Sequence, residues 1–147
     1  MSAKSMKKDK GFTLVELLVV IAIIGLLSGM IIISIKNVKA KSRDAERVSE
    51  INTIVTVLSL YHNDYNIYPV YDGYITGTDS LSTTLKSTGY ITVVPTDPSN
   101  SNSSDCGSLT GYRYYYQSVN GTDYYLGYCL ETNSIHGKTK GENSYVP

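Results

Sequence analysis

Tryptophan is absent from the chain, phenylalanine occurs once, and there are two cysteines, Cys106 and Cys129. Without Cys-x-x-Cys spacing they form no redox motif, and two isolated cysteines are a poor basis for a zinc site. No charge excess exists either: Lys+Arg and Asp+Glu are 13 each, so the overall balance asks for neither nucleic acid nor an acidic surface. A Gly-rich phosphate loop, a paired-carboxylate pattern and a His-rich metal motif are all missing. His62 and His136 stand alone, and no serine has a partner base. The chain therefore reads as a non-enzyme. Proline and glycine are both lacking between Met30 and Tyr68, so nothing there interrupts a helix. With 147 residues, the chain can hold one small domain and a long helix but not two independent cores.

What is present is unevenly placed. The first eleven residues are polar and basic, with Lys4, Lys7, Lys8 and Lys10 against Asp9. An apolar stretch follows from Phe12 to Ile33, 22 residues with Thr13, Glu16, Ser28 and Gly29 as its polar or small interruptions. A helix needs about 20 such residues to cross the hydrocarbon of a bilayer. The lysines are expected to stay on the cytoplasmic side, leaving the carboxy-terminal part outside. An ordinary signal peptide has a shorter apolar centre and a small-x-small cleavage site after it. Here the sharp polar-to-apolar boundary lies before the apolar segment, at Gly11-Phe12.

The run Lys10-Gly11-Phe12-Thr13-Leu14-Val15-Glu16-Leu17-Leu18-Val19-Val20-Ile21 resembles the processing motif of type IV prepilins and type II secretion pseudopilins. The resemblance implies cleavage after Gly11 by a prepilin peptidase and methylation of the Phe12 amine. It also implies assembly with other copies, with minor pilins or pseudopilins, and with an inner-membrane platform. Unlike many members of that family, the chain has no proline in residues 30–35. Gly25, Ser28 and Gly29 are then the positions where the helix is expected to loosen.

Glu16 is the expected assembly residue. A carboxylate in an apolar helix needs a partner, and cleavage would create one in the Phe12 ammonium, four residues away and one helical turn back. The pair could form within one chain or between neighbours, which is how the family is thought to assemble. A glutamate one turn into a helix also suits the helix amino end and lipid head groups.

Beyond residue 35 the sequence turns polar while keeping good helix formers through Arg47. Val48, Ile51, Ile54, Val55, Leu58 and Tyr61 then recur at three- and four-residue steps, one apolar face. A single helix is expected from about residue 13 to 62. Its charged residues around 43–50 read as a solvated face. A second helix over 79–87, capped by Asp79 or Ser80 and ended by Gly89, would point Leu81 and Leu85 inward. Residues 95–104 read as an exposed loop. Strands are expected over 112–117 and 123–130 around an Asn120-Gly121 turn, which sets Tyr115 opposite Leu126 and Tyr112 opposite Cys129. The fold class is α+β, a long amino-terminal helix packed under a small antiparallel head. The tyrosines, 14 in all, lie at or beyond Tyr61 and suit half-wet packing. The order of these elements also looks like that of major pseudopilins.

The expected organisation is leader 1–11, membrane and assembly helix 12–35, exposed helix 36–62, globular head 63–134 and polar tail 135–147. A Cys106–Cys129 bridge on the outer side is the first reading, with two thiols the alternative. Some pseudopilins bind calcium, and Asp97, Asp105 and Asp123 are weak candidates, although loop aspartates are commonly plain surface groups. No other cofactor is expected. Loss of residues 1–11 removes four lysines and one aspartate, leaving an acidic remainder and no basic stripe for nucleic acid. The resulting expectation is a bacterial inner-membrane protein, single-pass with its head outside, built into an extracytoplasmic filament of a type II secretion-like machine. A true pilus subunit and a monomeric anchored binding domain are the alternatives.

Overall fold

The computed structural model describes residues 11–147 of the chain, apart from the side chains of residues 30–34. Helix α1 runs Leu14–Tyr65, 52 residues without a break. It ends three residues later than expected. Asn66 takes a left-handed φ of 58° and its N–H donates to His62 O at 2.8 Å, a conformation asparagine tolerates better than most residues. The chain divides into two compact units, one reaching Asn37 and the other Val38–Pro147.

In the second unit α1 is followed by β1 Tyr71–Tyr74, α2 Ser80–Ser87, β2 Tyr115–Ser118, β3 Tyr125–Leu130 and β4 Gly141–Tyr145. The four strands form one antiparallel sheet in the order β1-β2-β3-β4. The α+β class is as expected from the sequence. Ile51, Ile54, Val57 and Leu58 of α1 share one buried core with Tyr114, Tyr116, Leu126, Tyr128 and Leu130. Helix α2 adds Leu81 and Leu85. Its Asp79 cap accepts from Ser82 N at 2.8 Å and Thr76 N at 2.7 Å, joining α2 to the end of β1.

The opposite face of the sheet is closed by a smaller cluster of Cys106, Leu109 and Cys129. Cys106 and Cys129 form a disulfide, as the sequence suggested. The segment Ser104–Leu109 is not simple loop but short 3-10 turns kinked at Gly107. It lies so close to β3 that a Cβ on Gly127 would sit 3.1 Å from Leu109 Cδ2. β3 is therefore covered on both faces.

Three further expectations need correction. The β2–β3 register pairs Tyr115 with Gly127 and Tyr116 with Leu126, one residue away from an Asn-Gly two-residue turn. Tyr114, Tyr116, Leu126, Tyr128 and Leu130 can all face the core only in this register, because a slip of one residue sends side chains to the other face. The turn yields and widens instead. Gly121, at φ 77°, accepts from Tyr68 N at 2.8 Å, and a Cβ there would lie 2.9 Å from Tyr68 O. The expected loose tail is also wrong, since Gly141–Tyr145 pairs with β3 from Leu126 to Leu130. This strand has no apolar alternation to announce it. It is held by the ladder and by Glu142, which accepts from Ser108 N at 2.9 Å and Tyr125 Oη at 2.9 Å.

The third correction concerns charge. Asp44 and Arg47 are fully buried, both at 0% exposure, rather than solvated. Arg47 donates to Asp97 through Nε at 2.7 Å and Nη2 at 3.1 Å. It also reaches Asp44 and Glu131, each at 2.8 Å from Nη1. Asp44 in turn accepts from the backbone N–H groups of Glu131 and Thr132, both at 2.8 Å. One guanidinium thus ties α1 to the 97–100 loop and to the end of β3.

Candidate functional site

The site indicated by the sequence is the start of α1. Thr13 is the residue before the first helical position, and its Oγ1 accepts from Glu16 N at 3.3 Å. Glu16 Oε2 returns the contact, accepting from Thr13 N and Thr13 Oγ1 at 2.8 Å each. This reciprocal arrangement is a capping box, which satisfies helix-end N–H groups that have no carbonyl partner. Sequence reasoning paired Glu16 with the Phe12 ammonium or the helix amino end but not with Thr13, although Thr-x-x-Glu before an apolar run is the signature of such a cap.

Around this cap the helix is apolar on all sides. Phe12 is 86% exposed, and every large apolar side chain from Leu14 to Leu27 is exposed too. A helix apolar around its whole circumference lacks the one-sided stripe of a surface helix and calls for apolar surroundings. Gly25 and Gly29 stand within unbroken helix, and Ser28 turns its hydroxyl back to Ile24 O at 2.7 Å. Gly11 has open space where a Cβ would be, so nothing in the fold itself demands glycine there.

Residues 6–32 match a family model described as the prokaryotic N-terminal methylation motif. The chain carries that methylation motif. Gly11, Phe12 and Glu16 all fall inside it, as does the cap formed with Thr13, while Lys4, Lys7, Lys8 and Lys10 lie outside the described residues. The motif is that of pilin-like precursors and implies processing by a prepilin peptidase. No solved structure matches the chain. Among the described residues, no helix is long and apolar enough to cross a membrane. The 22-residue apolar stretch counted in the sequence includes residues 30–33, whose side chains are not among those described.

Downstream of the methylation motif, the three calcium candidates are not brought together. Asp97 is held by Arg47 and also accepts from Ser99 N at 2.9 Å. Burial alone would raise its carboxyl, yet the Arg47 and Ser99 hydrogen bonds hold it below the usual range. Asp105 pairs with Lys140 at 2.9 Å. Asp123 contributes its backbone carbonyl to Ser118 Oγ at 2.6 Å. Among the described residues, no group of three or more His, Cys, Asp or Glu side chains could hold a metal ion. His62 stacks on Tyr68 with ring centroids 4.5 Å apart.

The Arg47 cluster is what sequence reasoning missed in the head. A signal existed. Ile51, Ile54 and Leu58 continue backward, in steps of four and three, to Arg47 and Asp44. The apolar stripe therefore runs onto the two charges and places them on the buried face.

Proposed function

We propose that the chain is a subunit of a type IV pilin-like filament, held in the bacterial inner membrane by the first part of α1 before assembly. Its head faces outward, and a prepilin peptidase removes residues 1–11 and leaves Phe12 with a methylated amine. The observation that supports this best is the start of α1: a helix apolar on every side, interrupted by one acid that its own cap holds in place. Cleavage after Gly11 would place an ammonium one residue before Thr13, whose N–H already lies 2.8 Å from Glu16 Oε2. The cap thus keeps the carboxylate oriented toward the new cation. In a fibre the same carboxylate can exchange this contact for the Phe12 ammonium of a neighbouring subunit, which links axial register to the burial of two opposite charges.

Within this class the favoured reading is a pseudopilin of a type II secretion-like machine, since the order of elements in the head resembles that of major pseudopilins. The deciding test of the broader reading is Glu16→Leu. The variant should still insert and be cut after Gly11, because the site itself is intact, but fibres or secretion should be lost. Normal numbers of normal fibres from the processed variant would leave α1 a simple anchor and refute the assembly role of Glu16.

A further inference from the structure

On the face of the sheet opposite the core, tyrosines stand on two neighbouring rungs of the ladder. Tyr74, Tyr115 and Gly127 lie side by side across β1, β2 and β3, and Asp72, Gln117 and Tyr125 make the next rung. Gly127 has no side chain, and the Tyr125 ring folds back over it: a Cβ there would lie 2.9 Å from Tyr125 Cε1. The rings meet at steep angles, Tyr74 to Tyr115 at 70° and Tyr115 to Tyr125 at 63°, with centroids 5.4 and 6.4 Å apart. With Ser108 and Leu109 they wall a cavity of about 340 Å³.

The hydroxyl protons of this lining are already committed. Tyr115 donates to Asp72, Tyr125 to Glu142 at 2.9 Å, Tyr74 to Leu109 O at 2.9 Å and Ser108 to Glu142 at 2.7 Å. Gln117 Nε2 donates to Asp72 at 3.2 Å. Apart from the second Gln117 N–H, the lining still offers a ligand ring faces and oxygen lone pairs, with two carboxylates beside them. Hydrogen bonds from Tyr115 and Gln117 hold Asp72 below the usual carboxylate range, and those from Ser108 above all do the same for Glu142. Both are therefore charged at neutral pH. Accepting oxygens and aromatic faces together suit a cation that brings its own donors. Tyr74 already serves one cation, since the Arg113 guanidinium carbon lies 5.5 Å from its ring centre. Tyr115 and Tyr125 are the rings left for another.

The hollow does not end at Tyr125. An adjoining one, of about 170 Å³, shares Gln117 and Tyr125 with it and is bordered by Val119 and Val146, both exposed. A cation seat at one end and bare valines at the other make a groove longer than a free amine needs.

We propose that this groove binds a lysine of a partner protein, its ammonium set between Tyr115 and Tyr125 near Asp72. An adjoining apolar residue of the same partner segment lies against Val119 and Val146. The four-carbon stem runs over Leu109 and the ring faces, leaving the charge at the accepting edge. Rings meeting at steep angles form a corner, which suits a compact ammonium better than a planar guanidinium. The assignment concerns the head alone and holds whether or not the chain forms filaments.

The test is titration of a capped pentapeptide, with lysine between two valines at its centre, into the full chain in zwitterionic detergent micelles. Calorimetry and the ring-proton nuclear magnetic resonance signals of Tyr115 and Tyr125 read it. Saturable binding that shifts both signals and weakens with added salt is expected. Norleucine in place of the lysine should weaken binding about tenfold, and Tyr115→Leu about as much, in keeping with loss of a desolvated cation–π contact. Asp72→Asn, at an exposed position, should weaken it about threefold. Unmoved ring signals in the unaltered chain overturn the proposal even if Tyr115→Leu fails to fold. So does equal binding of the norleucine peptide, or full affinity in either variant with an otherwise unchanged amide spectrum. Butylammonium binding as tightly as the peptide overturns the assignment to a protein segment. Self-association of the chain that the peptide disperses overturns it in favour of a second copy.

Discussion

Replacing Arg47 by Met tests whether the buried cluster holds the head together. The substitution keeps much of the side-chain volume but deletes five hydrogen bonds: two to Asp97 and one each to Asp44, Glu131 and Ser99. Asp44 and Asp97 would remain buried, with side chains 0% and 1% exposed. Breaking a buried ion pair from one side costs about 3–5 kcal/mol, because a charge is left without its partner. Neither carboxylate is left bare. Asp44 keeps three donors, Glu131 N, Thr132 N and Thr132 Oγ1. Asp97 keeps Ser99 N, Ser99 Oγ and Asn100 N. The loss should therefore fall at the lower end, about 3 kcal/mol, or roughly 12 °C or more in midpoint for a head of this size. Urea and thermal unfolding of the full chain in micelles, followed by tyrosine near-ultraviolet circular dichroism, reads it directly. Adding Asp44→Asn and Asp97→Asn should recover part of the loss, since no charge is then stranded: the amide oxygen at 97 still accepts from Ser99 and Asn100, while at 44 one of the two backbone donors loses its acceptor. A loss under about 1 kcal/mol, the range of an exposed pair, would refute the reasoning. So would an undiminished loss in the triple variant.

Gly11→Val should fold like the parent, because a Cβ there meets nothing within 4 Å, yet keep its leader. Mass spectrometry of membrane-extracted protein finding Phe12 at the amino terminus of this variant would contradict the cleavage assignment. Reducing Cys106–Cys129, which closes a loop of sequence separation 23, should cost about 3 kcal/mol on the chain-entropy account. Amide exchange should then rise first in Ser104–Leu109 and β4, leaving Ile51, Ile54 and Leu58 protected. The pH profile draws on several carboxyls held below their usual range, among them Asp72, Asp79 and Glu142 and, across the Arg47 cluster, Glu131 by Arg43 above all and Asp97 by Arg47 and Ser99 against the effect of burial. A depressed folded-state value means their stabilisation is complete above the unfolded range of about pH 4 and is lost as pH falls through the lower folded values. Glu50, raised chiefly by burial, acts with opposite sign and offsets a little of the loss near that range. Urea midpoints from pH 7 to 3 should show an acid limb that flattens in Asp97→Asn, and an unchanged limb would disprove the assignment.

The methylation motif, the long helix and the α+β order are written in local sequence. A basic start, a sharp boundary at Gly11-Phe12 and no proline or glycine from residue 31 to 67 act within a few residues of one another. Helix α2 is similarly legible, because Asp79 and the leucines at 81 and 85 sit within two turns. Even the capping box of Thr13 and Glu16 needs only a spacing of three. Strand register did not follow from its turn. Asn120-Gly121 is a local preference, overruled by the burial of Tyr114, Tyr116, Leu126 and Tyr128 against α1 and by the approach of Gly121 to Tyr68. β4 was hidden because a polar strand pairs through its backbone, which no side-chain pattern reports. Asp44 and Arg47 read as solvated because a charge on a helix is solvated unless something distant meets it. Here Asp97 lies 50 residues beyond Arg47, and Glu131 84 residues beyond. Only chain folding brings those groups to one guanidinium.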